Sequence, residues 1–170
     1  TVGTKRMNNE IPEIAHKKNQ WLFSQLDIAY PAKESLLGRE LYQSKLPSKT
    51  YQLLAPAQTP SQIDELHKVD FHKLTVLFSL NQASVYQDEA ERAHMLEFLS
   101  QIMLSDEHVL YIGTHNGEVV ASAIITELED SLLISDVVAG NGQSINDFAK
   151  QLHDFWAQDH ASCDKVWIEN

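Results

Sequence analysis

The stretch "HVLYIGTHNGEVVASAIITELEDSLLISDVVA", residues 108–139, decides the fold class of this chain. It holds three runs rich in β-branched and apolar residues, which predict strands at about 108–114, 118–128 and 131–139. Asn116-Gly117 separates the first two runs and favours a type I′ turn, because both central residues of that turn take positive φ. Residues 129–131 make the second turn. The whole segment is therefore predicted to be an antiparallel meander.

A glycine loop and an amphipathic helix follow the meander directly, in "GNGQSINDFAKQLHDFW". Ser144 is the expected N-cap of this helix, and apolar residues recur at helical spacing as far as residue 158. A last strand is predicted at 164–169. Because strand–helix–strand crossovers are right-handed and join parallel strands, this strand should lie parallel to strand 131–139.

The first two thirds of the chain are predicted to be mainly helical. Apolar spacing and end signals predict helices at 10–27, 30–47, 59–71 and 88–106, and a short strand at 50–57. Thr59 is the expected N-cap of the third helix, and Met103 is expected on the buried face of the fourth. Segment 72–86 stays open between strand and helix, because short apolar runs do not distinguish the two.

Charge divides the chain near residue 48. Residues 1–49 carry eight Lys/Arg and five Asp/Glu, a formal charge of +3. Residues 50–170 carry a formal charge of −14, which gives the net −11 of the whole chain. We therefore expect an N-terminal helical extension over 1–48 and an acidic α/β domain over 49–170. An acidic body repels nucleic acid and anionic membranes, so neither is expected as a partner, and it attracts cationic partners.

Several function classes are excluded by what the sequence lacks. No apolar run reaches the ~18 residues of a membrane span, and the first residues have no apolar core of a secretory signal. Cys163 is the only cysteine, and the eight histidines form no HExxH or His-x-His pair. We therefore expect a cytoplasmic protein that binds no metal.

From Tyr51 onward, roughly 120 of the 170 residues, the element order resembles the GNAT superfamily of acyl-CoA-dependent N-acetyltransferases. "LYIGTHNGEVVASAIITEL" resembles the family's central hairpin, "LLISDVVA" its fourth strand, and "YQLLAPAQTPSQIDELHKVDF" its opening strand and first helix. The resemblance implies an α+β fold with a mixed, mainly antiparallel sheet flanked by helices. A chain ending at Asn170 would lack the family's fourth helix and last two strands, so we expect either that the natural chain continues beyond Asn170 or that a second subunit, as in a homodimer, covers the sheet edge.

The resemblance also implies a cofactor and a site. Acetyl-CoA would be bound with its pantetheine arm paired to the backbone of Val137, Val138 and Ala139. The pyrophosphate would lie on a loop at the positive end of the next helix, made of Gly140, Asn141, Gly142, Gln143 and Ser144. The acceptor would be a small cationic amine, which attacks the thioester carbonyl after a base removes its proton.

Three alternatives stay open at this stage. The glycine loop is either a phosphate cradle or only a tight connection. Asp136, expected on the same face as Leu132, Ile134 and Val138, is either a catalytic base with a raised pKa or a solvated carboxylate at a strand end. Finally, the protein is either an acyltransferase or a non-catalytic relative that binds a protein partner or dimerises. Glu169, at the end of the last strand, is a weaker catalytic candidate.

Overall fold

The computed structural model describes residues 11–140 and 142–170; residues 1–10 and Asn141 lie outside the described part of the chain. Within that part there are five α-helices, namely α1 (Glu13–Ser24), α2 (Lys33–Lys45), α3 (His72–Ala83), α4 (Glu89–Leu99) and α5 (Ile145–Ala157). A short 3-10 turn over Leu46–Ser48 follows α2. The strands are β1 (Tyr51–Leu53), β2 (Glu65–Lys68), β3 (His108–His115), β4 (Glu118–Leu128), β5 (Ser131–Val138) and β6 (Lys165–Glu169).

The six strands form one mixed sheet in the order β1-β6-β5-β4-β3-β2. The predicted meander is confirmed, since β3, β4 and β5 pair antiparallel. Its first turn has the expected positive φ values, 52° at Asn116 and 79° at Gly117. β5 and β6 pair in parallel across α5, as the crossover rule predicted. The fold is thus α+β, with a mixed and mainly antiparallel sheet flanked by helices.

Both faces of the sheet are covered, which explains why its strands read as nearly continuous apolar runs. On one face Tyr111 and Ile125 pack with Phe148 and Trp156 of α5. On the other face the alternate residues of the same strands meet helices α1 to α4, in a cluster that includes Leu22, Phe78, Phe98, Leu110 and Ile124. The period of two along each strand therefore divides the core into two layers.

Helices α1 and α2 belong to the second of these layers. Leu22 and Leu26 from the α1 region and Tyr42 of α2 are buried in the same cluster as Phe98 of α4. Gly38 brings α2 close to α4, because a Cβ there would lie 2.1 Å from the carbonyl oxygen of His94. The two N-terminal helices thus share the core of the sheet domain; the division at residue 48 stays a prediction.

The predicted helix over 59–71 is wrong. Residues 65–68 instead form β2, which pairs antiparallel with β3 at the edge of the sheet. Thr59, the expected N-cap, donates its hydroxyl to the carboxylate of Asp147 on α5. The apolar residues Ile63 and Leu66 have a spacing that fits a helix, but both pack on the face of the sheet that α5 covers. Strand pairing with β3 therefore overrides the local pattern.

The neighbouring helices differ from prediction in extent. Segment 72–86, left open from sequence, forms α3 over His72–Ala83. The predicted helix over 88–106 ends at Leu99, and Met103, expected to be buried, is 76% exposed. The chain leaves α4 here because Ile102 packs into the core while the residues beyond it lead into β3.

Strand β1 lies where a second subunit was expected. It pairs antiparallel with β6, with Tyr51 opposite Glu169 and Leu53 opposite Trp167. Thr50 and Asn170 exchange backbone hydrogen bonds of 3.0 and 2.8 Å beyond the strand. The outer edge of β6 is therefore covered within the chain, and the reason for expecting a homodimer at this edge disappears.

His108 is a buried histidine with an expected effect on pH stability. It is 5% exposed, stacks on Trp21 at 4.4 Å between ring centroids, and its Nδ1 lies 3.1 Å from Thr126 Oγ1. Burial, with a smaller contribution from the charge of Lys17, lowers the pKa of His108 to about 4. The unfolded chain, where a histidine has its ordinary pKa of about 6.5, therefore binds a proton at a higher pH than the folded protein.

We predict that the free energy of unfolding falls by roughly 2 kcal/mol between pH 7.5 and pH 5, because the unfolded state takes up the His108 proton first. Urea titrations across this range measure the fall. His108→Gln keeps a hydrogen-bond partner for Thr126 and should remove most of this fall in unfolding free energy. Burial also lowers the pKa of His153, which accounts for part of the fall that remains. A slope that is unchanged in His108→Gln contradicts the assignment.

Candidate functional site

A β-bulge interrupts β5 near its end. Ser122 of β4 lies opposite Val138 and Ile124 lies opposite Ser135, so Asp136 and Val137 together face a single residue of β4. Asp136 takes a φ of 54°, a left-handed conformation that aspartate tolerates better than most residues. The bulge turns the Asp136 side chain to the side of α1 and α2. The prediction that Asp136 shares a face with Leu132 and Ile134 is therefore wrong, since those two residues pack on the α5 side.

The Asp136 carboxylate belongs to a buried ion cluster. Lys18 of α1, fully buried, places its Nζ 3.0 Å from Asp136 Oδ2 and 3.1 Å from Glu169 Oε2. The hydroxyl of Tyr42 donates to Asp136 Oδ1 at 2.6 Å, and that of Ser135 donates to Oδ2 at 2.7 Å. Nearly every oxygen of the cluster thus has a donor, as buried charges require.

The electrostatics of the cluster fix its protonation states. Burial alone would raise the pKa of Asp136, but the Lys18 charge and the hydrogen bonds from Tyr42 and Ser135 hold it below its usual value. Burial likewise opposes the charge on Lys18, but the two carboxylates raise the pKa of Lys18 above its usual value. Burial and the same carboxylates raise the pKa of Tyr42 well above its usual value. At neutral pH the Lys18 ammonium, the Asp136 carboxylate and the neutral Tyr42 hydroxyl are therefore the favoured forms, and Asp136 lacks the raised pKa that the catalytic-base alternative requires.

Glu169 lies at the point where β5 and β6 separate. The parallel pairing runs from Ser131 with Lys165 to Ile134 with Ile168 and goes no further. Beyond it, Glu169 Oε1 accepts a 3.4 Å hydrogen bond from the backbone nitrogen of Asp136, and Tyr51 of β1 donates to Oε2 at 2.9 Å. A carboxylate side chain therefore closes the first part of the gap between the two strands.

A cavity of about 340 Å³ opens beside the bulge. The end of β5 forms one wall, and the end of α2 with the turn after it forms another. Residues from the end of α3 and from α4 complete the lining, which includes Tyr42, Lys45, Lys49, Gln82, Val85, Tyr86, Met95, Leu99, Asp136, Val137 and Val138. Gln82 holds the bulge in place from this side, since its amide donates to the carbonyl of Asp136 and to Ser122 Oγ. Ser122 in turn donates to Asn81.

The glycine loop leaves β5 as predicted and enters α5 with Ser144 as its N-cap, because Ser144 Oγ accepts a 3.0 Å hydrogen bond from the nitrogen of Asp147. Gly140 and Gly142 have φ values of 68° and 74°. The backbone nitrogen of Gln143 donates to the carbonyl of Gly140 and closes a turn, and the side-chain amide of Gln143 donates to the carbonyl of Ala139. Asn141 lies outside the described residues.

Segment 55–59 covers the first turn of α5. Asn146 exchanges side-chain hydrogen bonds with the backbone of Ala55, and Asp147 accepts hydrogen bonds from Gln58 and Thr59. Asp147 is only 6% exposed. A carboxylate thus already occupies the positive end of this helix, where the resemblance places a pyrophosphate.

The structure gathers the predicted site residues only in part. Asp136, Val137 and Val138 line the cavity, whereas Gly142 and Ser144 line a different, open groove at the N-terminus of α5. Sequence reasoning missed Lys18, Tyr42 and Glu169 as partners of Asp136, and Lys45 and Lys49 as cavity residues. One pattern could have pointed to Lys18: Ile14, Lys18 and Leu22 recur at helical spacing, which puts a lysine on an apolar face.

Two further features of the chain bear on its ligands. Among residues 11–140 and 142–170 no group of three or more His, Cys, Asp or Glu side chains is arranged to hold a metal ion. Over the same residues, no helix is both long and apolar enough to cross a bilayer.

Comparison with known proteins gives no family assignment. Neither a scan against protein-family models nor a search of curated proteins finds a match to this chain.

Proposed function

We propose that this protein is an acyl-CoA-dependent N-acyltransferase whose thioester lies in the cavity beside the β5 bulge. The observation that carries the proposal is the end of β5: a bulge, the loss of β6 pairing after Ile134, and a cavity against Val137 and Val138. Beyond Ile134 the described residues provide no partner strand on the β6 side of β5. An extended pantetheine arm could occupy that place by pairing with strand backbone.

In the proposed reaction the acceptor nitrogen attacks the thioester carbonyl carbon, the carbon–sulfur bond breaks, and the nitrogen loses a proton. Asp136 was predicted to accept this proton. Its lowered pKa makes it a weak base at neutral pH, since general bases work best with a pKa near the working pH. The ion cluster therefore favours a positioning role for Asp136, which fixes the bulge. The proton that the nitrogen loses then passes through solvent in the open cavity to the departing thiolate, and the hydroxyl of Tyr86 lies in the lining.

We predict that acetyl-CoA raises the melting temperature of the protein. A ligand at 100 times its Kd adds ~2.7 kcal/mol, which corresponds to about 5–10 °C for a domain of this size. Val85→Trp should abolish the shift, because Val85 lines the cavity but is 59% exposed and tolerates a larger side chain. Leu104→Trp is the matched control, since Leu104 is 52% exposed and does not line the cavity.

The same proteins can be assayed for release of free thiol from acetyl-CoA with a panel of small amines. A melting temperature that does not change at millimolar acetyl-CoA contradicts the proposal. So does a shift of equal size in Val85→Trp, because the cofactor would then bind elsewhere.

A second candidate function is that of a non-catalytic, acetyltransferase-like module that binds a protein partner or dimerises. The coverage of the α5 N-terminus by segment 55–59 and Asp147 favours it, because the pyrophosphate of a cofactor would meet a carboxylate there. This candidate predicts no acetyl-CoA shift and a dimer mass in light scattering, so the same two measurements separate the candidates.

A further inference from the structure

In the lining of the cavity beside the β5 bulge, the charged side chains without an ion-pair partner are positive. The charged residues in its lining are Lys45, Lys49 and Asp136. Asp136 is already neutralised, because Lys18 lies 3.0 Å from its carboxylate and two hydroxyls donate to it. Lys18 is shared with Glu169, so the formal charges of Lys18, Asp136 and Glu169 sum to −1, and Lys45 and Lys49 bring the total to +1.

Lys45 and Lys49 have no such partners. Neither lysine forms an ion pair with any described residue, whereas Lys17, Lys18 and Lys150 all do. Lys45 lies in the last turn of α2, where its charge complements the helix dipole. Lys49 is the C-cap residue of the following 3-10 turn, where its backbone nitrogen donates to the carbonyl of Leu46. The two lysines that line the cavity are therefore contributed by two different local structures.

This placement contrasts with the rest of the molecule. The chain carries a net charge of −11, and from residue 93 to residue 149 it contains no Lys or Arg. A concave, low-dielectric surface concentrates the field of the charges that line it. The cavity is thus a place where an anion is attracted and a simple cation is repelled, although a cationic amine was the acceptor expected from the sequence.

We propose that this cavity binds a small ligand through an anionic group, a carboxylate or a phosphate, held by Lys45 and Lys49. The hydroxyl of Tyr86 and the apolar side chains of Val85 and Met95 complete a site that would accept an anionic group on a partly apolar body. The anionic group has two sources that fit, the acceptor molecule and the phosphates of an acyl-CoA. The proposal does not depend on acyl transfer, because the lysines attract an anion whatever reaction follows.

The test is an NMR titration of ¹⁵N-labelled protein with inorganic phosphate and, separately, with acetate, at ionic strength held constant with sodium chloride. We expect saturable shifts of the amides of Lys49, Val137 and Val138. The double variant Lys45→Gln/Lys49→Gln should bind at least about tenfold more weakly, since each lysine supplies a charge-assisted hydrogen bond. Both lysines are at least partly exposed, so these substitutions leave the core intact.

The matched control is Lys33→Gln/Lys73→Gln, which removes the same charge from exposed positions outside the cavity and should change affinity less than twofold. Shifts that do not saturate, or an equal loss of affinity in both double variants, overturn the proposal. Repeating the phosphate titration with acetyl-CoA, at a concentration that shifts the melting temperature, identifies the source: competition assigns the site to the cofactor's phosphates, and unchanged phosphate binding assigns it to the acceptor. A failed acetyl-CoA melting test leaves the anion titration interpretable, so the two proposals fail separately.

Discussion

Lys18→Met is expected to lower the free energy of unfolding by about 3–5 kcal/mol, because it leaves two buried carboxylates without their counter-charge. Asp136 and Glu169 both lose an ion pair of about 3 Å, and their side chains are only 6% and 0% exposed. Methionine fills nearly the volume of the lysine stem, so the loss reports charge rather than a cavity. Since small domains are stable by only about 5–15 kcal/mol, urea denaturation should show a much lower midpoint.

The neighbouring residue provides the control. Lys17 contacts Glu107 at 2.8 Å, but its partner is 68% exposed and water screens the pair. Lys17→Met should therefore cost no more than about 1 kcal/mol. Lys17 also donates to the carbonyl of Glu127, so the difference between the two variants compares a partly exposed ammonium with one fully buried between two carboxylates.

A double variant tests the explanation itself. Lys18→Met/Glu169→Gln removes one of the stranded charges, so it should be more stable than the sum of the two single losses indicates. Asp136 retains its hydrogen bonds from Tyr42 and Ser135 in this variant. Additive losses would mean that Lys18 acts through packing alone, and the ion cluster would then lose its assigned role.

The ion cluster ties the N-terminal helices to the end of β5. Buried ion pairs contribute little net stability compared with apolar packing, but an unpaired member is costly, so they restrict which arrangements of the chain are tolerated. Here the cluster holds α1, through Lys18, and α2, through Tyr42, against the β5 bulge. Lys45 and Lys49 follow Tyr42 along the chain, so the cluster also places the two lysines at the cavity. Lys18→Met should therefore weaken phosphate binding even under conditions where the variant remains folded.

The sequence predicts this fold where a pattern is local. The meander, the Asn116-Gly117 turn, the Ser144 cap and the parallel last strand follow from periods and turn residues within about 60 residues, and the structure confirms them. β2 was predicted as a helix because its apolar spacing is ambiguous and its strand pairing is with β3, more than 40 residues away. Local patterns do not contain that partner.

The candidate site was less predictable than the fold. Asp136 was found because it interrupts an apolar strand, but its partners come from residues 18, 42 and 169. Contacts across such separations have no signature in one sequence, and a lysine on a helix is ordinarily solvated. The bulge compounds the problem, since one extra residue changes the face on which every later side chain of the strand lies.

Gly140→Ala is expected to be among the most destabilising single-methyl additions to this chain. A Cβ at this position would lie 2.2 Å from the carbonyl oxygen of Val120, a backbone atom of β4 that cannot move without disturbing the sheet. The residue also has a φ of 68°, which costs a residue with a Cβ about 1–2 kcal/mol. Together with overpacking of about 1–3 kcal/mol, the expected loss is roughly 2–5 kcal/mol of unfolding free energy.

Gly142→Ala separates the two causes. Gly142 has a similar φ of 74°, but a Cβ there meets nothing within 4 Å, so this variant should lose only the conformational part, about 1–2 kcal/mol. Urea denaturation of both variants measures the difference, which is the cost of forcing β4 and the loop apart. Equal losses would contradict the close approach. A larger loss of stability in Gly140→Ala than in Gly142→Ala would give Gly140 a structural role, which is to let the connection from β5 to α5 pass close to β4, whether or not a ligand binds. A phosphate role for the loop would therefore have to appear in Gly142→Ala, as a loss of the acetyl-CoA melting shift that exceeds its small loss of stability.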